Sequence, residues 1–309
     1  MHVRRILAVG LAAGSLLLGA ACASNTVSGG STNKGTVSIS GQNFPEATLV
    51  AEMYKQVLEK HGYTASVKLV GTRDVYMKEF PQSVDVVPEY VAGIADFLNT
   101  QKNGSNAASF STNDAAATLA KAKPLTDAAG ITMLTPSAAT DANAFMVTKK
   151  FADANHLKTL SDLGKLGKPV VLAAAPDCQG RSDCEGGLSK TYGIKISKIL
   201  PLGYASAQTY DSVTKGESTL GETSTTDGSL ASQGLALLTD DQGVQPAQNL
   251  VPAVSTAFLK KHPDVKTVLD DLMAKLTTSE LTTLNGLVGN QREKPADVAK
   301  KWLTDQGLL

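Results

Sequence analysis

Histidine, cysteine and aromatic residues are scarce in this chain. Its 309 residues include 4 His, 3 Cys and 1 Trp, aromatics make up 5%, and 29 Lys and Arg balance 29 Asp and Glu. Each shortage excludes something. A near-neutral chain without a basic stripe argues against nucleic acid as a partner. There is no Gly-x-Ser-x-Gly elbow and no His-Glu-x-x-His stretch, so neither an activated serine nor a zinc hydrolase is expected. His2 lies in the leader, His61 and His262 sit at helix boundaries, and His156 lies in a lysine-flanked loop. These positions suit solvent better than catalysis. No Gly-x-x-x-x-Gly-Lys loop is present to cradle a nucleotide. The chain is therefore expected to be no enzyme, with no cofactor, metal or catalytic residue. Long apolar runs are absent after the first residues, so the remainder is not expected to span a membrane.

The first residues are different. Residues 1–21 read as a secretory signal: Arg4 and Arg5, then an apolar run from Ile6 to Leu18, then Gly19-Ala20-Ala21 before Cys22. Small residues ending in Cys fit a bacterial lipoprotein signal, in which Cys22 becomes the lipidated N-terminus. Gly19 stands where that pattern usually has Leu, with Leu18 one place earlier. A chance Cys beside an ordinary cleavage site is the alternative. Residues 22–35, rich in Ser, Asn, Thr and Gly, read as the lipidated Cys and a flexible tether. Loss of the leader leaves 27 basic residues against 29 acidic ones, a net charge of about −2. About 275 residues remain, more than one hydrophobic core usually covers, so two lobes are expected. Outside the cytoplasm Cys178 and Cys184 are expected to be joined, stapling the loop between them. A metal site is the weaker alternative, because neither Cys has a His nearby and no second Cys pair exists.

The body alternates strand and helix patterns. Thr36–Ser40 alternates apolar and polar and reads as a strand. Pro45 and Glu46 open a helix in which Leu49, Val50, Met53, Tyr54, Val57 and Leu58 recur at spacings of three and four, through about Lys60. Ala65–Val70 is a second strand. A third, Asp85-Val86-Val87, runs into Pro88 and is expected to end there, because proline removes a donor. This βαβα run implies a parallel sheet. In such sheets ligands bind outside the carboxyl ends of the strands, which places Glu89 and Tyr90 where a small molecule could be met. Further strands are expected at 131–134, 141–147, 168–173 and 218–223, with an extended segment at 249–255, and the apolar run 235–238 precedes an acidic turn at Asp240-Asp241. Helices are expected at 115–121, 186–192, from 208, and at 263–276, 278–288 and 295–306. Trp302 is expected in the core.

Together the motifs resemble a known family, the substrate-binding lipoproteins of ABC-type osmoprotectant importers for glycine betaine, choline and carnitine. The resemblance covers about Gly35 to Leu309. It rests on Gly41-Gln42-Asn43-Phe44-Pro45-Glu46, Val87-Pro88-Glu89-Tyr90, Arg181-Ser182-Asp183 with Gly187–Gly193, Thr225-Thr226-Asp227-Gly228, and the closing run from Lys261-His262-Pro263 to Gly307-Leu308-Leu309. Their order and spacing are more specific than any one motif. The resemblance implies a type II periplasmic-binding-protein clamshell, each lobe a mostly parallel sheet flanked by helices. The chain would cross between lobes near 139–144 and 249–255, giving lobe one as 36–140 plus 253–309 and lobe two as 141–252. It also implies a small-molecule ligand in the cleft, a permease and an ATPase on other chains, a lipid anchor on the outer face of the bacterial cytoplasmic membrane, and a monomer.

A quaternary ammonium donates no conventional hydrogen bond, so aromatic faces hold it best. The resemblance points to Tyr90, Tyr210 and Phe145 as those rings, with ordinary core packing the alternative for each. Arg181 stands where the family places an Arg near the cleft and could meet a ligand carboxylate, or else pair with Asp183. Thr72, Gln42 and Asn43 lie on strand-end loops and could add polar contacts. Two positions depart from the family. Gln42 replaces a common Lys, and Ser224 replaces an aromatic, which opens one wall of the cage. Both departures weaken the case for glycine betaine itself, and a larger or less charged ligand fits better, such as choline or a bulky polar aromatic or glycosidic molecule. A non-cationic polar or aromatic ligand, or a binding protein turned sensor or surface interaction protein, is the alternative.

Overall fold

The computed structural model describes residues 33–309. The leader 1–21, Cys22 and the tether through residue 32 lie outside the described residues. In lobe one the chain builds β1 (Thr36–Gln42), α1 (Pro45–Lys60), β2 (Thr64–Val70), the single turn α2 (Arg73–Tyr76), β3 (Val86–Tyr90), α3 (Val91–Asn103), α4 (Ala115–Ala129) and β4 (Ile131–Met133). Lobe two holds β5 (Asn143–Thr148), α5 (Lys149–Asn155), α6 (Leu160–Lys165), β6 (Pro169–Ala174), α7 (Glu185–Tyr192), β7 (Lys195–Pro201), α8 (Ala207–Thr214), β8 (Leu220–Ser224) and β9 (Leu235–Leu238). The chain then returns to lobe one with β10 (Leu250–Ser255), α9 (Thr256–Lys261), α10 (Asp264–Lys275), α11 (Thr278–Gly289) and α12 (Pro295–Asp305).

Each lobe has a five-stranded sheet, ordered β2-β1-β3-β10-β4 and β7-β6-β8-β5-β9. In the first, β1 is parallel to β2 and β3, while β10 runs antiparallel to β3 and β4. In the second, β6 is parallel to β7 and β8, while β5 runs antiparallel to β8 and β9. The reversed strand in each sheet is the one that arrives from the other lobe. The two connections, β4 to β5 and β9 to β10, are tied by a bridge between Thr140 and Asn249.

Two sequence expectations need correction here. The boundary at 252/253 falls inside β10, which pairs with β3 from Leu250 opposite Tyr90 onward. Residues 250–252 therefore belong to lobe one. The third strand also does not stop at Pro88, which sits inside β3 opposite Pro252. The Val91 N–H donates to the Asn249 carbonyl at 3.0 Å, so hydrogen-bonded pairs fall on every second position from there. The two prolines face each other at a non-bonded position, and neither costs this pair of strands a hydrogen bond.

The cores follow the periodicities. Leu49, Val50, Met53, Tyr54, Val57 and Leu58 of α1 are all buried, packed against Leu269 and Leu272 of α10, Leu281 of α11 and Trp302 and Leu303 of α12. Pro45 occupies the first turn of α1 and Glu46 follows it. Gly193 ends α7 in the left-handed conformation that favours glycine, with φ 66°. In lobe two, Phe145, Val147, Leu160, Leu172, Leu188 and Leu220 form the core.

Cys178 and Cys184 are bonded, with their Cα atoms 5.3 Å apart, just ahead of α7. Chain-entropy reasoning for so short a loop gives about 2 kcal/mol. The Cys178→Ala/Cys184→Ala variant should therefore lose about 2 kcal/mol in urea unfolding and remain folded. A loss no greater than the scatter between repeats would show that packing alone holds the loop.

Candidate ligand cleft

In α/β sheets ligands bind outside the carboxyl ends of the strands, so the loops after β1, β3, β7 and β8 supply the candidate cleft. Its centre is Glu46, in the first turn of α1 and only 4% exposed. Tyr90, at the end of β3, donates its hydroxyl to Glu46 Oε1 at 2.6 Å. Asn285 of α11 donates Nδ2 to Glu46 Oε2 at 2.6 Å and to the Thr226 carbonyl at 3.1 Å. Thr226, just past β8, donates its hydroxyl to Asp141 Oδ1 at 2.9 Å. Lobe one, a connection and lobe two thus meet in one polar chain.

Two carboxyls lie side by side here. Burial first, and the neighbouring Asp141 second, push Glu46 from its usual 4.5 up to about 7. Hydrogen bonds from Tyr90, Asn285 and Thr226 work the other way and do not win. Asp141 is raised too, chiefly by burial, with Asp227 adding to it and bonds to Thr226, Ser224 and Glu46 opposing.

Three tyrosines lie near the pair, Tyr90 and Tyr204 beside its acids and Tyr210 one residue removed, on Asp227. Tyr90 is stacked with Phe44, ring centres 6.4 Å apart and planes 24° apart. Its hydroxyl ionises far above the tyrosine norm because of burial, Glu46 and Asp141. Tyr204, on the loop after β7, is 43% exposed. Its hydroxyl end is nonetheless enclosed beside Asp141, Ser224 and Glu222, and burial and then Asp141 raise its ionisation. Ala205 beside it is held at φ 46°, unusual for a residue with a Cβ. Tyr210 of α8 donates its hydroxyl to Asp227 Oδ2 at 2.7 Å, and Thr223 donates to the same oxygen at 2.6 Å.

Of the residues named from sequence, Tyr90, Tyr210 and Ser224 join this chain of contacts. Phe145 does not. It is 1% exposed, in the lobe-two core between Glu222 of β8 and Leu238 of β9. It also lines a cavity of about 530 Å³ with Thr140, Gln245 and Asn249. Glu89 is also elsewhere. Adjacent strand residues point to opposite faces, so with Tyr90 on the Glu46 side, Glu89 turns to Arg73. It accepts from Arg73 Nε and Nη2, both at 2.9 Å, and from the Tyr76 hydroxyl. Arg181 is held by Asp183 and Asp177, at 2.7 and 3.0 Å. Thr72 and Asn43 are exposed and Gln42 is half-buried, at strand ends on the lobe-one side.

Sequence reasoning passed over Phe44, Asp141, Tyr204 and Asn285, and read Glu46 only as a helix-end charge. Tyr204 had a signal. Lys195–Pro201 is a strand, and Gly203 marks the turn after it, so the next residue falls at a strand's carboxyl end. Asn285 lies 239 positions from Glu46 and had none.

The family described as the substrate binding domain of ABC-type glycine betaine transport systems matches residues 35–305. The chain belongs to this family. The glycine-betaine-binding protein of Pseudomonas aeruginosa is 25% identical over 284 residues, 89% of either chain. The glycine betaine-binding protein YehZ of Escherichia coli is 29% identical over 273 residues, 85% of this chain and 88% of that one. The ligand-free YehZ structure superposes with a TM-score of 0.72 at 26% identity, covering 89% of this chain and 99% of that one. The two-lobed α/β architecture is the one the family is built on, and family members are transport receptors for small solutes.

Proposed function

We propose that this chain is a monomeric, lipid-anchored receptor on the outer face of the bacterial cytoplasmic membrane. It captures a small quaternary-ammonium osmoprotectant in the interlobe cleft and delivers it to an ABC permease driven by an ATPase on another chain. The choline type of cation suits the cleft better than the zwitterion glycine betaine. The observation that carries this reading is the charge of the cleft. Glu46 and Asp141 sit among Tyr90, Tyr204 and Tyr210, while the two arginines nearby are already paired, Arg73 with Glu89 and Arg181 with Asp183 and Asp177. Gln42 adds no positive charge. A ligand carboxylate would find no unpaired guanidinium there, whereas an ammonium would find acids and ring faces, each ring contributing about 0.5–2 kcal/mol.

A thermal-shift panel tests this. Choline at a hundred times its Kd should stabilise the mature chain by about 2.7 kcal/mol, a rise of several degrees in Tm. Glycine betaine and carnitine should need higher concentrations for the same rise. Tyr90→Ala should abolish the response. A rise with a non-cationic aromatic compound and with no quaternary amine would sink the reading.

A further inference from the structure

We propose that the Glu46–Asp141 carboxyl pair is the cation-recognising end of the cleft, and that an entering ammonium displaces a proton the two acids share when no ligand is bound. This deepens the proposed function and rests on it.

The geometry comes first. Glu46 belongs to α1 in lobe one and Asp141 to the connection into lobe two, so the pair links lobe one to that connection. Each oxygen of Glu46 already accepts from one neutral donor, Tyr90 or Asn285. Asp141 accepts from Thr226. The groups facing the pair are Tyr90 from β3 with Glu89 behind it, Ser224 at the end of β8, Thr226 and Asp227 just past it, Asn285 from α11, and Tyr204 beyond β7. None of these is a cation. A pair of buried acids with donors but no counter-ion holds a proton, as two like charges close together cannot both ionise cheaply.

The sign follows. Below about pH 7 Glu46 keeps a proton beside Asp141, and above it Glu46 gives that proton up. A quaternary ammonium has no proton of its own to lose, so any titration of its binding belongs to the protein. Cation affinity should rise with pH through about 7 and then level off. The ligand-free protein behaves oppositely. Glu46 titrates near 4.5 when unfolded and about 7 when folded, so stability is lost as pH rises between those values. A bound cation restores it.

Calorimetry of the mature chain with choline, in two buffers of different ionisation enthalpy, counts the protons. Near one proton should be released per choline at pH 6 and almost none at pH 8.5, and Kd should fall about tenfold from pH 6 to pH 8. The uncharged tert-butyl isostere of choline, carbon in place of nitrogen, should release none. Glu46→Gln should flatten the choline profile, and Asp141→Asn gives the same test should the first variant fold poorly. Choline binding with no proton release at pH 6 overturns this inference and leaves the proposed function standing. Failure of every quaternary amine to bind at either pH overturns both.

Discussion

Replacing Glu89 with alanine is expected to destabilise the protein by about 3–5 kcal/mol in urea unfolding, the range for removing one partner of a buried ion pair. Glu89 is 1% exposed and accepts both nitrogens of an Arg73 fork, the Tyr76 hydroxyl and the Tyr90 backbone N–H. Without it, the guanidinium stays where it is, 20% exposed, with no counter-charge. It cannot retreat easily, because it also lies over the Phe97 ring, 5.9 Å from its centre, and against Gly93, where a Cβ would stand 2.7 Å from Nη2. Arg73→Ala leaves the opposite orphan, a buried carboxylate with Tyr76 still donating, and should cost a similar amount. The double variant is the decisive measurement. If the two groups matter as a pair, it will be less destabilised than the two single losses added together. Simple additivity, or a Glu89→Ala loss below about 1 kcal/mol, would show that the pair is incidental. Binding should suffer with stability, since Arg73 and Glu89 adjoin Thr72 and Tyr90 and fix the end of β3 against the start of α2.

That pair also shows what was legible in the sequence. Local periodicity carried α1, the C-terminal helices and most strands, because the same residues that set the spacing fill the core. The loop disulfide was legible from two cysteines in a secreted chain. The pairing of Arg181 with Asp183 was visible as an alternative, being nearly contiguous. What failed depended on partners distant in sequence. Pro88 looked like a strand terminator, and only its position opposite Pro252 on β10 makes it tolerable. Phe145 was placed by family position, which does not show that β5 carries it into the core, where it also lines the cavity beside Thr140. Glu46 looked like a favourable charge on a helix end. Its real neighbours, Tyr90, Asp141 and Asn285, come from three other parts of the chain, and their joint burial turns an ordinary acid into one that titrates near neutrality.

Alanine at Gly228 and alanine at Gly286 should have very different effects, although the two glycines touch. Gly228 ends the loop after β8, and Gly286 lies on α11 of lobe one. A Cβ at 228 would stand 2.4 Å from both the Gly286 nitrogen and the Thr282 carbonyl, which are backbone atoms of a helix and cannot rotate aside. A Cβ at 286 would approach only the Gly228 carbonyl, at 3.3 Å, which a small shift relieves. Gly228→Ala should therefore cost about 1–3 kcal/mol, as overpacking does, while Gly286→Ala should be near neutral or gain slightly from better helix propensity. The larger effect belongs to binding. The loop that must move carries Thr226, which bonds Asp141, and Asp227, which holds Tyr210. It is also fixed to α11 by Asn285 and by Asn290, whose Nδ2 donates to the Gly228 carbonyl at 3.0 Å. Pushing it off α11 disturbs the Thr226 bond to Asp141 and the Asp227 bond to Tyr210 together. Choline affinity should fall at least tenfold in Gly228→Ala and by less than threefold in Gly286→Ala, where a tenfold change corresponds to about 1.4 kcal/mol. Equal losses in the two variants would mean that the glycine contact merely fills space and does not hold the ligand loop in place.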